Sequence, residues 1–289
     1  MLNEENYNNY LYKIKNMHYD RQDHWDVFDG LYYKKIQDFD CMESFRSNGI
    51  SNMLETGLPS QERGVALSGK HYDIKYSDSE INEIISRFEE LKIMLGDYIN
   101  NIPFDNGTGN PRRYIHEEKN KSYLLNFDDL YHVYSAWQLK RMSELLFKDK
   151  TISNILEIGG GYGNLANKVK SIFSDVKYII VDLPEVLLIQ HYYLSKNNSS
   201  YKIKNLIGCD NIGQVNVDNI DCDVLLVPFG EHEKIEMSYD ILINTRSFGE
   251  MPKKLLENYF SWIQKNINEN GIFYTTNRYV FTKSKDKNK

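Results

Sequence analysis

The chain has 289 residues, 41% of them hydrophobic and 26% charged, with a net charge of −6 at neutral pH. This is the composition of a globular protein of one large domain or two modest ones, and the acidic balance excludes a general nucleic-acid binder, which carries a basic face. Three scattered cysteines, Cys41, Cys209 and Cys222, form no C-x-x-C pair; they exclude a zinc ribbon or disulfide framework and point to a reducing, cytoplasmic setting.

Residues 5–46 read as two helical pieces. Tyr7, Tyr10, Leu11, Ile14 and Met17 recur at helical spacing, and so do Trp25, Phe28, Leu31, Tyr32, Ile36 and Phe39. Gly49, Gly57, Pro59, Gly64 and Gly69 make 47–76 a loop. Ser77 and Glu80 form a capping box ahead of an amphipathic helix carrying Ile81, Ile84, Phe88, Leu91 and Leu95. A loop follows at 106–113, and Asn126 and Asp129 open another helix through Leu130, Val133, Trp137 and Leu145. Residues 1–150 are therefore expected to form an N-terminal helical region. The start, Met1-Leu2-Asn3-Glu4-Glu5, is too polar for a signal peptide, and no apolar run reaches the ~20 residues of a membrane span.

From 151 to 289 the pattern alternates. Ile155, Leu156 and Ile158 run apolar, as a strand buried on both faces does, and break into Gly159, Gly161 and Gly163. A helical period resumes at Leu165, Ala166, Val169 and Ile172, and 178–182 form a second strand ending on Asp182. Further strands are expected at 223–229, 239–244 and 272–279, with helices opening at Pro184 and Pro252, the latter stopped by Asn270-Gly271. The expected fold is α/β, a Rossmann-like doubly wound sheet, mostly parallel, in the order 3-2-1-4-5. Its fifth strand would be an edge, to be covered by the N-terminal helices in the first instance.

The motif is Glu157-x-Gly159-x-Gly161-x-Gly163, whereas a dinucleotide fingerprint would need its third glycine at Asn164. It resembles the first motif of class I S-adenosylmethionine-dependent methyltransferases. That resemblance implies S-adenosyl-L-methionine as cofactor, with Glu157, Gly159, Gly161, Gly163, Asp182, Leu183 and Asn244 as its binding residues and Asp182 accepting from the ribose hydroxyls. More narrowly, Asn110-Pro111, Asp128 to Trp137, Ile158 to Gly163, Val181 to Glu185, Tyr192 to Ser195, Asn244 with Ser247 to Met251, and Asn277-Arg278 are similar to the bacterial sugar O-methyltransferase family. The family implies methylation of a sugar hydroxyl in a surface polysaccharide or its nucleotide-linked precursor, so the expected partner is a small molecule or glycan. The oligomeric state stays open.

A sugar hydroxyl is weakly acidic and asks for a general base or a metal. Glu250, directly after the fourth strand, is the first choice for the base; it equally suits the N-terminus of the helix at Pro252. His232, between Glu231 and Glu233, is the second choice, with a solvated loop as its plainer reading. No metal-ligand spacing is present, although a loosely held Mg²⁺ on Asp182, Glu250 or Asn277 stays open. Arg112, Arg113 and Arg246 are candidates for an anionic group of the substrate, and Tyr114, Tyr134 and Trp137 for faces against a sugar ring. A methyltransferase for another hydroxyl or an amine, and a catalytically silent binding protein, remain as alternatives.

Overall fold

The computed structural model describes residues 2–17, 36–47, 76–119, 121–148, 151–209 and 215–277. In chain order the helices are α1 (Glu4–Asn16), α2 (Asp78–Leu95), α3 (Phe127–Leu146), α4 (Asn164–Ile172), α5 (Pro184–Asn197) and α6 (Lys253–Asn266). The strands are β1 (Tyr114–Glu118), β2 (Lys121–Leu125), β3 (Asn154–Ile158), β4 (Lys177–Asp182), β5 (Ile203–Asn205), β6 (Val215–Asn216), β7 (Val224–Pro228), β8 (Ile235–Glu236), β9 (Tyr239–Thr245) and β10 (Ile267–Thr276). The second helical piece expected before residue 36 and most of the loop at 47–76 lie outside the described residues.

Local chemistry sets the helix starts. The Ser77 N–H donates to Glu80 Oε2 at 2.7 Å while Glu80 N–H donates back to Ser77 Oγ, completing the capping box of α2. Asn126 Oδ1 accepts from Asp129 N at 2.8 Å and starts α3. Pro184 stands in the first turn of α5, where its missing N–H costs nothing.

Six parallel strands form the main sheet, in the order β10-β9-β3-β4-β7-β5. Five of them reproduce the expected 3-2-1-4-5 arrangement. The sixth, β5, pairs outside β7 and was not expected, since three residues are too few to show a period. Every residue of β7 and β9 is buried, because both faces of the sheet are covered. On one face Ile155, Tyr178, Ile180, Leu226 and Ile243 pack with α1, α3, α4 and α5. On the other, Leu156, Ile158, Ile179, Val181 and Leu242 pack with α6. A separate core joins α2, α3 and the antiparallel hairpin β1–β2, which lies between the expected loop at 106–113 and the helix opened by Asn126 and was not expected.

The last helix ends at Asn266, before the expected Asn270-Gly271 stop, and the chain passes straight into β10. Asn270 instead takes a left-handed φ of +64° inside an irregularity of the β10–β9 register between Ile267 and Ile272. Helix α3 lies against this strand: Tyr131 Oη and Thr276 Oγ1 are 2.6 Å apart, and Tyr274 Oη donates to Gln138 Oε1 at 2.8 Å. An N-terminal helix thus covers one face of β10, while its outer edge has no strand partner among the described residues.

Candidate active site

At the carboxyl end of β3 the backbone turns through three left-handed glycines, with φ of +73° at Gly159, +57° at Gly161 and +98° at Gly163. L-residues reach that region only at a cost of roughly 1–2 kcal/mol each, so the alternate spacing of glycines has a backbone cause. Space is limited as well. A Cβ at Gly159 would run into the Ser247 side chain, and one at Gly160 would lie 2.9 Å from Ile180 Cγ2 and 3.2 Å from Glu157 Oε2.

Asp182 faces this turn from the end of β4. Its Oδ1 accepts from Leu183 N–H and its Oδ2 from Gln190 Nε2, both at 2.8 Å, and the same Gln190 amide donates to Gly161 O at 2.9 Å. Gln190, on α5, therefore ties the acid to the glycine turn; standing nearly two helical turns beyond Pro184, it carried no sequence signal. Burial pushes the Asp182 carboxyl up to about 7, against the lowering pull of the Leu183, Gln190 and Gly160 hydrogen bonds. A cleft opens here, lined by Gly159, Asp182 and Ser247 and by the apolar side chains of Leu183, Phe229, Met251 and Leu255 with the Tyr259 ring. This mixed lining offers a carboxylate and a hydroxyl beside apolar and aromatic surface.

Glu157 lies wholly buried beneath the turn. Tyr178 Oη donates to its Oε2 at 2.9 Å, and its Oε1 has no partner among the described residues. Burial, helped by the Asp182 charge, pushes this carboxyl up to about 8, so it is a neutral acid at pH 7 that supports the turn from below. A carboxyl whose folded pKa is raised stabilises fully below its unfolded value and loses that contribution as pH rises through the folded one. Glu157→Gln, a permanently neutral isostere, is therefore expected to gain stability relative to the parent as pH rises from 5 to 8. The gain reaches about 3–5 kcal/mol by this linkage. Thermal midpoints of the two proteins that run parallel across that range would dismiss the neutral-acid assignment.

Asn244, at the end of β9, is also fully buried. Its amide donates to Ile158 O at 2.8 Å and Ser247 Oγ at 2.5 Å, and its carbonyl accepts from Phe248 N–H and Asn277 Nδ2. It holds the floor of the cleft together and turns all its polar capacity inward. Glu250 closes the short 3₁₀ turn Phe248–Glu250 between β9 and α6, beside Met251 of the cleft wall.

His232 is not in a solvated loop and does not line the cleft. It is buried, stacked on Tyr259 at 4.7 Å between ring centroids and edge-on to Trp262 at 5.1 Å, and burial lowers its pKa to about 4. A ring held neutral among aromatics is a weak base. The arginines are likewise spoken for elsewhere: Arg112 pairs with Glu80 at 3.1 Å and covers Tyr76, while Arg246 lies over Tyr131. Tyr134 and Trp137 pack on one another along α3. Among the described residues, one group of three metal-capable side chains comes together, Glu89, His116 and Glu118, in the α2–hairpin region and away from the cleft. The Lys92 ammonium already bonds both of its glutamates.

A buried polar network escaped the sequence reading. Tyr162, between the second and third glycines, donates to Asp128 Oδ2 at 2.6 Å, and Asp128 also faces His132 Nδ1 at 3.3 Å. Next to it Asp129 pairs with Lys168 Nζ at 2.6 Å and accepts from Asn164 Nδ2 and Asp105 N–H. Arg46 pairs with Asp105 and lies 4.5 Å over the Tyr162 ring. Burial alone would raise Asp105 and Asp128; Arg46 and His132 respectively outweigh it and hold both carboxyls low. For Asp129 burial wins, reinforced by the Asp105 charge against the pull of Lys168, and its carboxyl is raised. In sequence these groups read as an N-terminal helix charge, a lone arginine and a surface lysine, because their partners lie tens of residues away.

No curated protein matches the chain. Among solved structures, the plantazolicin methyltransferase BpumL in complex with SAH is similar at 14% identity and a TM-score of 0.35, over 51% of this chain and 47% of that one. The mitomycin 7-O-methyltransferase MmcR aligns at 12% identity and 0.33, over 52% and 39%. The glycopeptide N-methyltransferase MtfA complexed with sinefungin aligns at 12% and 0.31, over 48% and 51%. The chain thus spans about half the length of the first of these. A family model described as an O-methyltransferase domain matches residues 88–209, a stretch that takes in α3, the glycine turn, Asp182 and Gln190.

Proposed function

We propose that the chain is an S-adenosylmethionine-dependent O-methyltransferase acting on a small-molecule hydroxyl, with a sugar as the acceptor. The observation that carries the reading is a turn of three left-handed glycines tied through Gln190 to Asp182, with Gly159 and Asp182 lining a cleft that also has apolar walls. The O-methyltransferase domain match over the same residues supports it. The sugar rests on the narrower sequence resemblance.

The residues present fit the cofactor. A side chain at Gly159 would crowd Ser247 in the cleft lining, Asp182 offers a carboxylate to ribose hydroxyls, and Leu183, Phe229 and Met251 offer an adenine slot. When bound, S-adenosylmethionine supplies an electrophilic methyl group on a sulfonium. The chain's own task is then to hold an acceptor hydroxyl in line with that methyl and to remove its proton. Glu250 is the residue for the proton, by its place in the turn between β9 and α6; Asn244 and Ser247 bond one another in the segment before it. Glu250→Gln is expected to lower kcat by about a hundredfold, in the range of a lost general base, without weakening cofactor binding. Unchanged turnover would assign the proton to another group.

The direct test is calorimetric titration with S-adenosylmethionine, followed by a panel of nucleotide-sugars and free sugars read by mass spectrometry for the gain of one methyl group. A cofactor complex and a methylated sugar are expected. Absence of cofactor binding removes the whole reading, while methylation confined to non-sugar hydroxyls or amines removes the acceptor class alone.

The cofactor's affinity should also depend on pH. Asp182 is protonated below about 7, and the ionised form is the stronger acceptor for ribose hydroxyls. Binding is expected to be about tenfold tighter at pH 8 than at pH 6, the ratio for one group titrating midway, and Asp182→Asn to be weak and flat across the range. A parent protein that binds equally at both pH values would rule out an ionising Asp182 in the contact.

A further inference from the structure

A groove of about 630 Å³ runs between the 100–106 segment, β2, α4 and the C-terminal end of α5. That volume falls within the about 300–1,000 Å³ of small-molecule sites, and the groove shares no lining residue with the cleft at the glycine turn. Six asparagines stand in its walls, together with Phe104, Tyr123 and Tyr201.

Asn167 distinguishes this groove from an incidental surface hollow. It is 94% removed from solvent by the protein (6% exposed), it lines the groove, and its amide has no hydrogen-bond partner among the described residues. Its amide is not among the sealed, unpartnered polar groups of the described residues, so it opens to the groove, where a ligand group can take the place of water on a side chain that is otherwise held by the protein. Asn197 is fixed in the opposite wall by donating to Tyr193 O at 2.9 Å.

Charge decides the ligand class. Of the two charged residues in the lining, Asp105 is satisfied by Arg46, Asn126 and Gly107 N–H. The other, Lys121, is exposed at the rim with its ammonium 4.5 Å from the Tyr123 ring centroid. No buried ion waits for an ionic ligand. Amides present a donor and an acceptor side by side, which matches adjacent hydroxyls, and the aromatic rings match the C–H faces of a pyranose. A peptide adding to β2 as a strand is disfavoured, because that strand already bridges from Leu124 to Asp105.

We propose that this groove is a second binding site, taking a neutral carbohydrate chain through the amides around Asn167 and the rings of Phe104 and Tyr201. It does not rest on methyl transfer and is measured without the cofactor. The experiment is saturation-transfer NMR on the full chain with maltotriose, cellotriose and chitotriose, and with trigalacturonate as the acidic counterpart. At least one neutral trisaccharide is expected to bind. Asn167→Ala and Tyr201→Ala should each weaken it by about tenfold, the worth of one hydrogen bond or ring contact, with thermal midpoint and S-adenosylmethionine titration unchanged. Lys121→Glu should leave neutral binding intact. The proposal is overturned by silence from all three neutral probes, by binding that survives both variants, or by binding of trigalacturonate alone that Lys121→Glu removes.

Discussion

Lys168→Met is expected to destabilise the protein by about 3–5 kcal/mol, the cost of leaving a buried charge without its partner. Lys168 and Asp129 are 1% and 0% exposed at their side chains and lie 2.6 Å apart. Asp129 already sits beside the Asp105 charge, which raises its carboxyl further. Without the ammonium the carboxyl escapes by taking up a proton, which raises its folded pKa. The loss should accordingly grow as pH rises and be smaller at pH 5 than at pH 8. The ammonium also donates to Pro103 O at 2.7 Å, so the change frees a backbone acceptor in the 100–106 segment. Adding Asp129→Asn, which removes the charge and keeps an acceptor for one of the two donors, Asn164 Nδ2 at Oδ1 or Asp105 N–H at Oδ2, should restore part of the loss. Urea unfolding at the two pH values measures both. A single variant within 1 kcal/mol of the parent would mean that the pair is solvated in practice and the network carries little.

Gly161→Val is expected to abolish detectable S-adenosylmethionine binding while the protein stays folded. The residue has a φ of +57°, and a β-branched side chain there is held outside its ordinary backbone range. The turn can respond only by moving, and Gln190 binds the Gly161 carbonyl and the Asp182 carboxylate through one amide. A shift at the glycine therefore also misplaces the acid. The backbone strain is roughly 1–2 kcal/mol, too little to unfold a stable domain, whereas displacement of both halves of the cradle removes the fit. Gly161→Ala should lie between the two. Circular dichroism with calorimetric titration separates folding from binding, and a valine variant that titrates like the parent would detach the glycine turn from the cofactor.

The centre of the sheet was legible because β3, β4, β7 and β9 are apolar runs bounded by glycine, proline or a polar residue. The order was expected as the usual one for the fold that the glycine motif resembles. Strand β5 was not legible, since Ile203-Lys204-Asn205 is short and its middle residue faces solvent. The β1–β2 hairpin was missed for a related reason: Tyr114–Glu118 is half polar, and its packing partners come from α2 and Phe104. Within the site, the glycines and Asp182 were marked by spacing alone. The state of Glu157 was not, because a carboxyl ahead of a glycine turn looks the same in sequence whether it faces a ligand or is buried as a neutral acid. His232 misled through its flanking glutamates, which suggest water; Tyr259 and Trp262, which bury it, arrive on α6.

The anchoring of Tyr162 and Lys168 to Asp128 and Asp129 has a bearing on how the chain is made. During synthesis the N-terminal segment appears first, and its carboxylates at 128 and 129 emerge before the tyrosine, asparagine and lysine that pair with them. Asp128 waits 34 residues for Tyr162 and Asp129 waits 35 for Asn164. Until the first strand–turn–helix unit has been released, burying those aspartates is unfavourable, and α3 has every reason to stay in water. The nascent N-terminal half is thereby kept from closing on itself in the absence of the sheet, and the two halves are committed to collapse as one cooperative event rather than as beads folding in turn.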